Sequence, residues 1–295
     1  MSDAFVGARV ARRVPLYIVL LIGLSPSVLF AQTPDGPAPS PRPAWASSSS
    51  RPLFPRRRHD DHGGLHFSHP IFTESVSPDT KIRVDFANAF ATDATESEIE
   101  VEGEYALHRG FSIEVTAPYA IVNPDVGSTE SDLGNVEVAL KFANFNFEEQ
   151  GVLLGYGVEF GLPTGSASSG IGSDHIWEIS PYLNIGYQRG RVELVGWSIF
   201  QIPTHQNPTE EVETEFRYDF SGLVHVTDRF EGLLELNGLV GLSGADAGNG
   251  ILSIAPGFKV APLPTEKLFI GLGVSIPFSS DELDAQVRSS VFWHF

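Results

Sequence analysis

The stretch "SEIEVEGEYAL", residues 97–107, carries a glutamate at every second position. The glutamates are Glu98, Glu100, Glu102 and Glu104, and the residues that alternate with them include Ile99, Val101, Gly103 and Tyr105. Successive side chains of a β-strand point to opposite faces. One face of this strand is therefore all carboxylate and the other is almost entirely apolar, so the strand separates an apolar environment from a polar one.

The same two-residue period continues from residue 80 to the end of the chain. Segments of about 10–13 residues with alternating polarity are separated by residues that favour turns. Examples are "KIRVDFANAF" at 81–90 and "FSIEVTAPYAIV" at 111–122. One segment departs from the pattern, because Trp197 and Ile199 fall on its polar side. The pattern predicts about twelve antiparallel strands.

Two all-β folds suit such a chain, a periplasmic sandwich and a membrane barrel. Strands of about ten tilted residues cross a hydrocarbon layer, whereas strands of soluble proteins centre on about five or six residues. The turn "HRG" at 108–110 is short, while "NPDVGSTESDLG" at 123–134 and "PTGSASSGIGSD" at 163–174 are long, and short and long connections alternate. Outer-membrane barrels have short turns on one side and longer loops on the other. Both features favour the barrel.

The last residues, "VFWHF" at 291–295, place Val291, Trp293 and Phe295 on one face. An aromatic C-terminal residue on the apolar face of a last strand resembles the recognition strand of bacterial outer-membrane barrels. We therefore predict an all-β protein, a transmembrane antiparallel β-barrel of about twelve strands in the bacterial outer membrane. Its predicted partners are the lipid bilayer and, through the C-terminal strand that ends in Phe295, the barrel-assembly machinery. A closed barrel also pairs every backbone polar group that lipid cannot satisfy.

In such a barrel the apolar side chains face lipid and the charged ones face a water-filled lumen. Carboxylates around an aqueous lumen stay hydrated and can pair with inward arginines of other strands. The predicted lumen-lining residues are Glu98, Glu100, Glu102, Glu104, Glu114, Arg83, Arg217, Glu213 and Glu215.

The N-terminal residues 1–31 have the pattern of an export signal. Arginines precede an apolar run at 14–30, and Ala31 is a small residue before a cleavage point. A membrane-anchor helix is the alternative, since a span needs roughly 17–25 apolar residues. Residues 32–65, rich in Pro, Ser and His, are predicted to be disordered. Residues 66–295 are predicted to form the barrel.

Composition excludes several classes of function. The formal net charge is −18 and the sequence pI is about 4.8, which argues against nucleic acid as a partner, because proteins that bind nucleic acid carry basic stripes. The chain has no cysteine. Disulfides, thiol nucleophiles and thiolate metal sites are therefore impossible.

A histidine-rich stretch, "HDDHGGLHFSHP" at 59–70, precedes the first strand. Imidazoles and carboxylates are common ligands of divalent metals. The spacing matches no closed metal site and glycines interrupt it, so we predict no metal there and treat the histidines as candidates only. A solvated polar segment is the alternative. The candidate ligands are His59, His62, His66 and His69.

Three stretches resemble the family called MetA-pathway of phenol degradation. They are "DLGNVEVALKF" at 132–142, "GVEFGLPTGSASSGIGSD" at 157–174 and "EISPYLNIGY" at 178–187. Members carry a D-x-G-D/N segment on a strand, followed by a strand that ends in a P-T-G turn with a Gly/Ser-rich loop. "SHPIFTESVSPDTKIRVDF" at 68–86 is similar to the mature start of related proteins. The resemblance implies a transmembrane barrel that takes up aromatic or other hydrophobic compounds, and it brings no catalytic residues.

We predict a passive transporter or channel for small solutes, including aromatic or hydrophobic compounds, with an acidic interior that disfavours anions. A non-transporting structural or adhesin-type barrel is the alternative, and an internal plug with a sealed lumen would favour it. A third hypothesis is an outer-membrane lipid hydrolase, because "HFS" at 66–68 places His and Ser two residues apart. The sequence contains no G-x-S-x-G or H-E-x-x-H motif. We therefore expect no enzyme, no catalytic residue and no cofactor.

Overall fold

The computed structural model describes residues 65–204, 213–244, 247–265, 267–278 and 283–295. The predicted signal peptide, nearly all of the predicted disordered segment, and the candidate ligands His59 and His62 lie outside these ranges. Within them, no helix has the length and apolar character needed to cross a membrane.

Almost all regular structure in the described residues is β-strand. The strands are β1 Lys81–Ala91, β2 Ala94–His108, β3 Phe111–Pro124, β4 Glu130–Leu133, β5 Glu137–Asn144, β6 Val152–Gly161, β7 Glu178–Arg189, β8 Val192–Pro203, β9 Glu215–Thr227, β10 Phe230–Gly241, β11 Gly250–Val260, β12 Leu268–Pro277 and β13 Leu283–His294. Two 3-10 turns, Glu148–Gln150 and Ala167–Ser169, lie in connections.

The strands form one antiparallel sheet that closes on itself. Except for β4 and β5, consecutive strands pair with each other, and β1 also pairs with β13, with Lys81 opposite His294 and Val84 opposite Val291. Because β4 and β5 both pair with β3, they share one position in the wall. The barrel therefore has twelve wall positions. The predicted fold is confirmed, and the sandwich alternative is wrong.

One predicted loop is mostly strand. Residues 123–134 are predicted to be a long loop, but β3 extends to Pro124 and β4 pairs with it, which leaves only 125–129 as the connection. The wall strand is instead interrupted between β4 and β5. The break lies opposite Pro118, which has no N–H to donate to the ladder, and Gly134 N donates to Pro118 O at 2.9 Å where pairing resumes.

The two ends of the barrel differ in their connections. One end, called the terminal end, carries the start of β1, the end of β13 and the tight turns at 109–110, 190–191 and 228–229. The opposite end, called the loop end, carries the longer connections, including 162–177 and 242–249. The first connection, residues 92–93, is also short although it lies at the loop end. The terminal-end connections 145–151 and 261–267 are longer than the loop-end connection 125–129, so the predicted alternation of short and long connections holds only in part.

The opening stretch shows which face of the wall is apolar. Val101 and Tyr105 are 46% and 65% exposed on the outer surface, while Glu102 and Glu104 are 4% and 3% exposed. Large exposed apolar side chains recur on the outside of all the other long strands, as at Leu183 (65%). A closed wall with an apolar exterior and polar interior suits a bilayer, because lipid contacts the outside and the backbone is fully paired.

Candidate functional site

The lumen is occupied at the terminal end by residues 65–80, here called the plug segment. These residues form no helix or strand and lead directly into β1. Phe67, Ile71 and Val76 have no solvent exposure at all. Their burial and their contacts with strands all round the wall place the plug segment inside the barrel.

Apolar side chains of the plug segment pack on an apolar patch of the inner wall. They form one buried cluster with inward side chains from strands β6 to β11. The plug members are Phe67, Ile71, Phe72 and Val76, and the wall members are Leu153, Val195, Leu223, Leu233 and Ala255. The inner wall is therefore apolar on one side. If the lumen were filled with water instead of the plug segment, exposing this apolar surface would cost roughly 25 cal/mol per Å².

The backbone of the plug segment is held by side chains of the wall. Glu235 on β10 accepts the N–H groups of Ile71, Phe72 and Thr73 at 2.8–3.2 Å. Lys259 on β11 donates to the carbonyl of His69 at 2.6 Å. Because a buried segment without secondary structure leaves its own polar groups unpaired, these wall groups supply the partners that it needs.

On β1, β7 and β9, wall arginines and an amide bind three more carbonyls of the plug segment. Arg83 Nη2 donates to Ile71 O at 2.5 Å and Arg217 Nη2 donates to Phe72 O at 3.3 Å. Asn184 Nδ2 donates to Ser75 O at 3.1 Å. The plug segment is thus held from β1, β7, β9, β10 and β11, by side chains that belong to different sides of the barrel.

An ionic cluster joins the plug segment to β1, β2, β3 and β5. Lys141 Nζ lies 2.6 Å from Glu74 Oε1 of the plug segment and 3.3 and 3.2 Å from carboxylate oxygens of Glu104 and Glu114. Lys81 Nζ contacts Glu102 and lies 2.6 Å from Glu104 Oε2. Burial alone would raise the pKa of Glu74, but the ammonium groups of Lys141 and Lys81 lower it to about 2. Glu74 therefore enters the lumen as a carboxylate with a fixed counter-ion.

A second ionic cluster lies under the start of the plug segment. Ser68 donates its N–H to Glu193 at 2.8 Å and its hydroxyl to Glu231 at 3.2 Å. His225 contacts both of these carboxylates, and Lys259 Nζ lies 3.0 Å from Glu231. Each buried carboxylate thus has a cationic or polar partner, as buried charges require.

The structure places most of the predicted lumen-lining residues on the inner side of the wall but divides them between its two ends. Arg83, Glu102, Glu104 and Glu114 are buried near the terminal end, with Arg83 and Glu102 3.9 Å apart. The others lie nearer the loop end and are less buried: Glu98, Glu100, Arg217, Glu213 and Glu215. Arg217 pairs with Asp219 at 3.1 Å rather than with the glutamates of β2. That these residues line a path for solute stays a prediction.

Several functional groups were missed by the sequence analysis. They are Lys81, which pairs with wall carboxylates, and the plug-binding residues Lys141, Lys259, Glu193, Glu231 and Glu235. A signal existed, since the chain has only four lysines and three of them occupy polar positions of alternating strands. Lysine inside a barrel needs a nearby anion, and for Lys141 one such anion is Glu74 of the plug segment.

The two family-like motifs meet at the loop end. Asn135, the last residue of "DLGN", accepts the N–H groups of Gly165 and Ser173 at 3.1 and 2.9 Å, and Thr164 Oγ1 accepts the N–H of Val136 at 2.8 Å. A Cβ atom at Gly165 would lie 2.7 Å from Asn135 Oδ1, so this close approach requires glycine. The asparagine therefore fastens the 162–177 connection to the wall.

A further polar cluster lies at the terminal end. The Nε2 atoms of His66 and His69 and the Nδ1 atom of His294 lie 3.4, 3.1 and 2.7 Å from Asp79 Oδ2. Burial, followed by the charge of Lys81, holds the pKa of His69 well below its usual value. Burial alone would raise the pKa of Asp79, but its histidine partners hold it well below the usual range. The cluster thus contains an ionised carboxylate and a neutral buried imidazole.

An apolar hollow of about 550 Å³ lies on the outer face of β7–β10. Ile185, Leu194, Phe220 and Leu234 line it with outward side chains, beside Gly196 and Gly222. Because these residues belong to the outer, apolar face of the wall, the hollow faces acyl chains rather than the lumen.

Comparison with solved structures supports the fold. The NanC porin superposes with a TM-score of 0.52 at 10% identity, covering 72% of this chain and 100% of that one. The KdgM porin in complex with disordered oligogalacturonate gives 0.49 at 11% identity, with 72% and 99% covered. The CymD monoaromatic hydrocarbon channel gives 0.42 at 9% identity, with 73% and 88% covered.

At these identities the likeness concerns the fold alone, and only the first comparison exceeds a TM-score of 0.5. No curated protein matches the sequence. The model of one family matches residues 73–291, which is most of the chain. That match spans nearly the whole barrel wall and the second half of the plug segment. The chain has the closed β-barrel fold of outer-membrane proteins, and it belongs to the family described as "Putative MetA-pathway of phenol degradation".

Proposed function

We propose that the protein is a gated passive channel for small solutes across the outer membrane, closed in this structure by the plug segment. The observation that carries the proposal is that residues 65–80 fill a polar-walled barrel without being part of the wall. They are held by hydrogen bonds, ion pairs and apolar contacts alone. Such contacts can be exchanged for water, so the plug segment can leave while the wall stays intact.

The inner wall suggests which solutes pass. Displacing the plug segment exposes an apolar patch that includes Leu153, Val195 and Leu223, beside a wall rich in carboxylates. An aromatic or other hydrophobic solute would contact the apolar patch, and the carboxylates disfavour anions. The description of the family, which concerns phenol degradation, agrees with this class of solute.

We infer that the barrel is not an enzyme. The His and Ser of "HFS" have separate partners, because Ser68 Oγ donates to Glu231 while His66 Nε2 lies beside Asp79. A hydrolase would need a nucleophile and a base within hydrogen-bond distance of each other. We also propose that the C-terminal strand is read by the barrel-assembly machinery, because Trp293 and Phe295 are exposed on the outside, 43% and 56% respectively.

The filled lumen also favours the second candidate, a structural or adhesin-type barrel that transports nothing. Conductance of the full chain in planar bilayers separates the two, when compared with a variant in which residues 65–78 are replaced by a Gly/Ser linker of equal length. We expect brief, rare openings of the unchanged chain and a persistent conductance of the linker variant. Heat-modifiable migration and β-type circular dichroism confirm that both are folded. A folded linker variant without conductance would reject the channel and leave the structural barrel.

A further inference from the structure

Three imidazoles and one carboxylate converge where the plug segment enters the wall. His66, His69 and Asp79 belong to the plug segment, Asp79 two residues before β1, and His294 is the last residue of β13. One nitrogen atom of each imidazole lies within 3.4 Å of the same oxygen, Asp79 Oδ2. The ligand atoms of His66, His69 and Asp79 all lie within 4.8 Å of one another.

These distances match those of a tetrahedral metal site. Zinc binds histidine nitrogen at about 2.0–2.1 Å and carboxylate oxygen at about 2.0–2.2 Å, so neighbouring ligand atoms of a tetrahedral site lie about 3.3–3.5 Å apart. The two nitrogen–oxygen distances, 3.4 Å at His66 and 3.1 Å at His69, are close to that spacing. The two imidazole nitrogen atoms lie within 4.8 Å of each other, so an ion can be bound once the two rings move closer together.

Access and hydrogen bonding also suit an ion. His66 is about a quarter exposed, which gives an approach from solvent, whereas His69 is 2% exposed and held in place by its surroundings. Thr80 N donates to Asp79 Oδ1 at 2.7 Å and fixes the carboxylate.

We propose that His66 Nε2, His69 Nε2 and Asp79 form a binding site for a divalent transition-metal ion, with zinc as the best match to two imidazoles and a carboxylate. His294 is a positioning residue, because its short hydrogen bond orients the ligand Asp79, and such outer partners support metal ligands. The fourth position is left to water or to solvent-borne ligands.

The site would fasten the plug segment. It connects residues 66 and 69 to residue 79 and, through His294, to the last strand, so bound metal closes a loop across the plug segment. An ion that binds only this arrangement stabilises it by mass action. This effect on opening rests on the proposed channel function, whereas metal binding itself does not.

Zinc binding is measured on the full chain, purified without a histidine tag and folded in detergent micelles, with zinc chloride as the probe. We expect one zinc ion per chain by calorimetry and elemental analysis. The double substitution His66→Ala/His69→Ala should weaken binding at least 100-fold, and His294→Ala roughly 10–100-fold. The control His175→Ala, at an exposed histidine on the 162–177 connection, should bind as the unchanged chain does.

A second control replaces His59 and His62 by alanine and should retain binding. The proposed site would be overturned if the His59/His62 variant no longer bound zinc while the His66/His69 variant still did. It would also be overturned if the folded, unchanged chain bound no zinc. Conductance is then recorded with zinc and with a chelator, and we expect the chelator to raise opening several-fold. If zinc binds but does not change the conductance of a conducting barrel, zinc does not hold the plug segment in place. If zinc binds to a barrel that never conducts, the channel function is rejected but the zinc site remains.

Discussion

Some buried side chains of the inner wall have their polar partners only while the plug segment occupies the lumen. Glu235 is 1% exposed and its carboxylate is paired with three backbone N–H groups of the plug segment. Lys259 is 2% exposed and likewise donates to a plug carbonyl. Because a buried charge without a partner is strongly unfavourable, these residues permit two arrangements, a dry lumen with the plug in place and a hydrated lumen without it.

The substitution Glu235→Gln tests that dependence. Glutamine keeps the shape but removes the charge, and hydrogen bonds to a charged group contribute about twice as much as neutral ones. Over three bonds we expect roughly a 10–100-fold rise in open probability, measured as single-channel conductance. Glu149→Gln, at an exposed turn of the terminal end, is the matched control. Equal open probabilities for both variants would show that Glu235 does not hold the plug segment.

Glu74 predicts how acid acts on closure. Its pKa is lowered to about 2 by Lys141 and Lys81, against an ordinary value of 4.5. A carboxylate whose folded pKa is depressed stabilises the closed state above its ordinary pKa and loses that contribution as pH falls towards the folded value. Between pH 7 and 5 its contribution should therefore be constant, and opening should increase between about pH 4.5 and 2.

The same recordings on Glu74→Gln separate this carboxylate from the rest of the wall. That variant lacks the ion pair at every pH, so its opening should be higher at pH 7 and rise less below pH 4.5. An acid response identical to that of the unchanged chain would assign the response to other carboxylates.

At the level of elements, the wall was predictable and the plug segment was not. A strand between lipid and a polar interior has two different environments, so its side chains alternate, as they do in residues 98–105, whereas Ser97 and Ala106 at the ends of this stretch depart from the pattern. The alternation fails on β8 at Trp197 and Ile199, which both face inward, and Ile199 is 1% exposed. These departures mark the side of the inner wall that contacts the plug segment rather than water. The plug segment itself has no regular alternation of apolar and polar residues, so its position could not be predicted from the sequence pattern.

The interruption between β4 and β5 has a related explanation. Its cause is Pro118 on the neighbouring strand, a partner that cannot be identified until strand register is known. The histidine cluster depends on register in the same way. His294 meets Asp79 only because β13 closes on β1, and nothing in the spacing of histidines along the chain indicates that.

Substitutions on the outer face test the orientation of the strands. Val101 lies near the middle of β2 and is 46% exposed, whereas Leu107 lies at its end. Arginine on the lipid face costs about 2–4 kcal/mol at the bilayer midplane and about 0–1 kcal/mol near the interface. We therefore expect Val101→Arg to lower the free energy of unfolding by about 2–4 kcal/mol and Leu107→Arg to lower it by less than about 1 kcal/mol.

Denaturant unfolding of the barrel in lipid vesicles measures both values. A soluble-type surface at β2 would make the two substitutions equally mild. Equally small effects of Val101→Arg and Leu107→Arg would therefore show that the apolar face of residues 97–107 does not contact lipid.

In the whole molecule the two ends of the lumen carry different chemistry. The plug segment is bound from the terminal half by Lys141 on β5 and by Lys259 near the end of β11, and Arg217 reaches it from nearer the loop end. Inward carboxylates of the terminal half, such as Glu104 and Glu231, are paired with lysines. A second group of inward carboxylates lies at the loop end, where β6, β7 and β9 begin or end. They include Glu98, Glu100, Glu137, Glu159, Glu178 and Glu215. A solute from the loop end thus meets an acidic mouth first and the plug segment second.

The acidic mouth predicts cation preference once the plug segment is removed. Arg217 and Arg288 offset only part of the charge of the carboxylates, and rings of carboxylates select cations in pores. In the Gly/Ser linker variant, the reversal potential in a KCl gradient should show that K⁺ passes more readily than Cl⁻. The preference should weaken between 0.1 and 1 M salt, because the Debye length falls from about 10 Å to about 3 Å.

Replacing Glu137, Glu159 and Glu178 together by glutamine, in the same linker variant, should bring the reversal potential closer to zero without closing the pore. Glu148→Gln and Glu149→Gln, at a turn of the terminal end, remove charge away from the mouth and should leave the potential unchanged. Because the three replaced side chains are inward and nearly isosteric with glutamine, a changed potential at constant conductance reports charge rather than width. An unchanged potential would place the selective region elsewhere, and a preference for Cl⁻ would contradict an acidic path altogether.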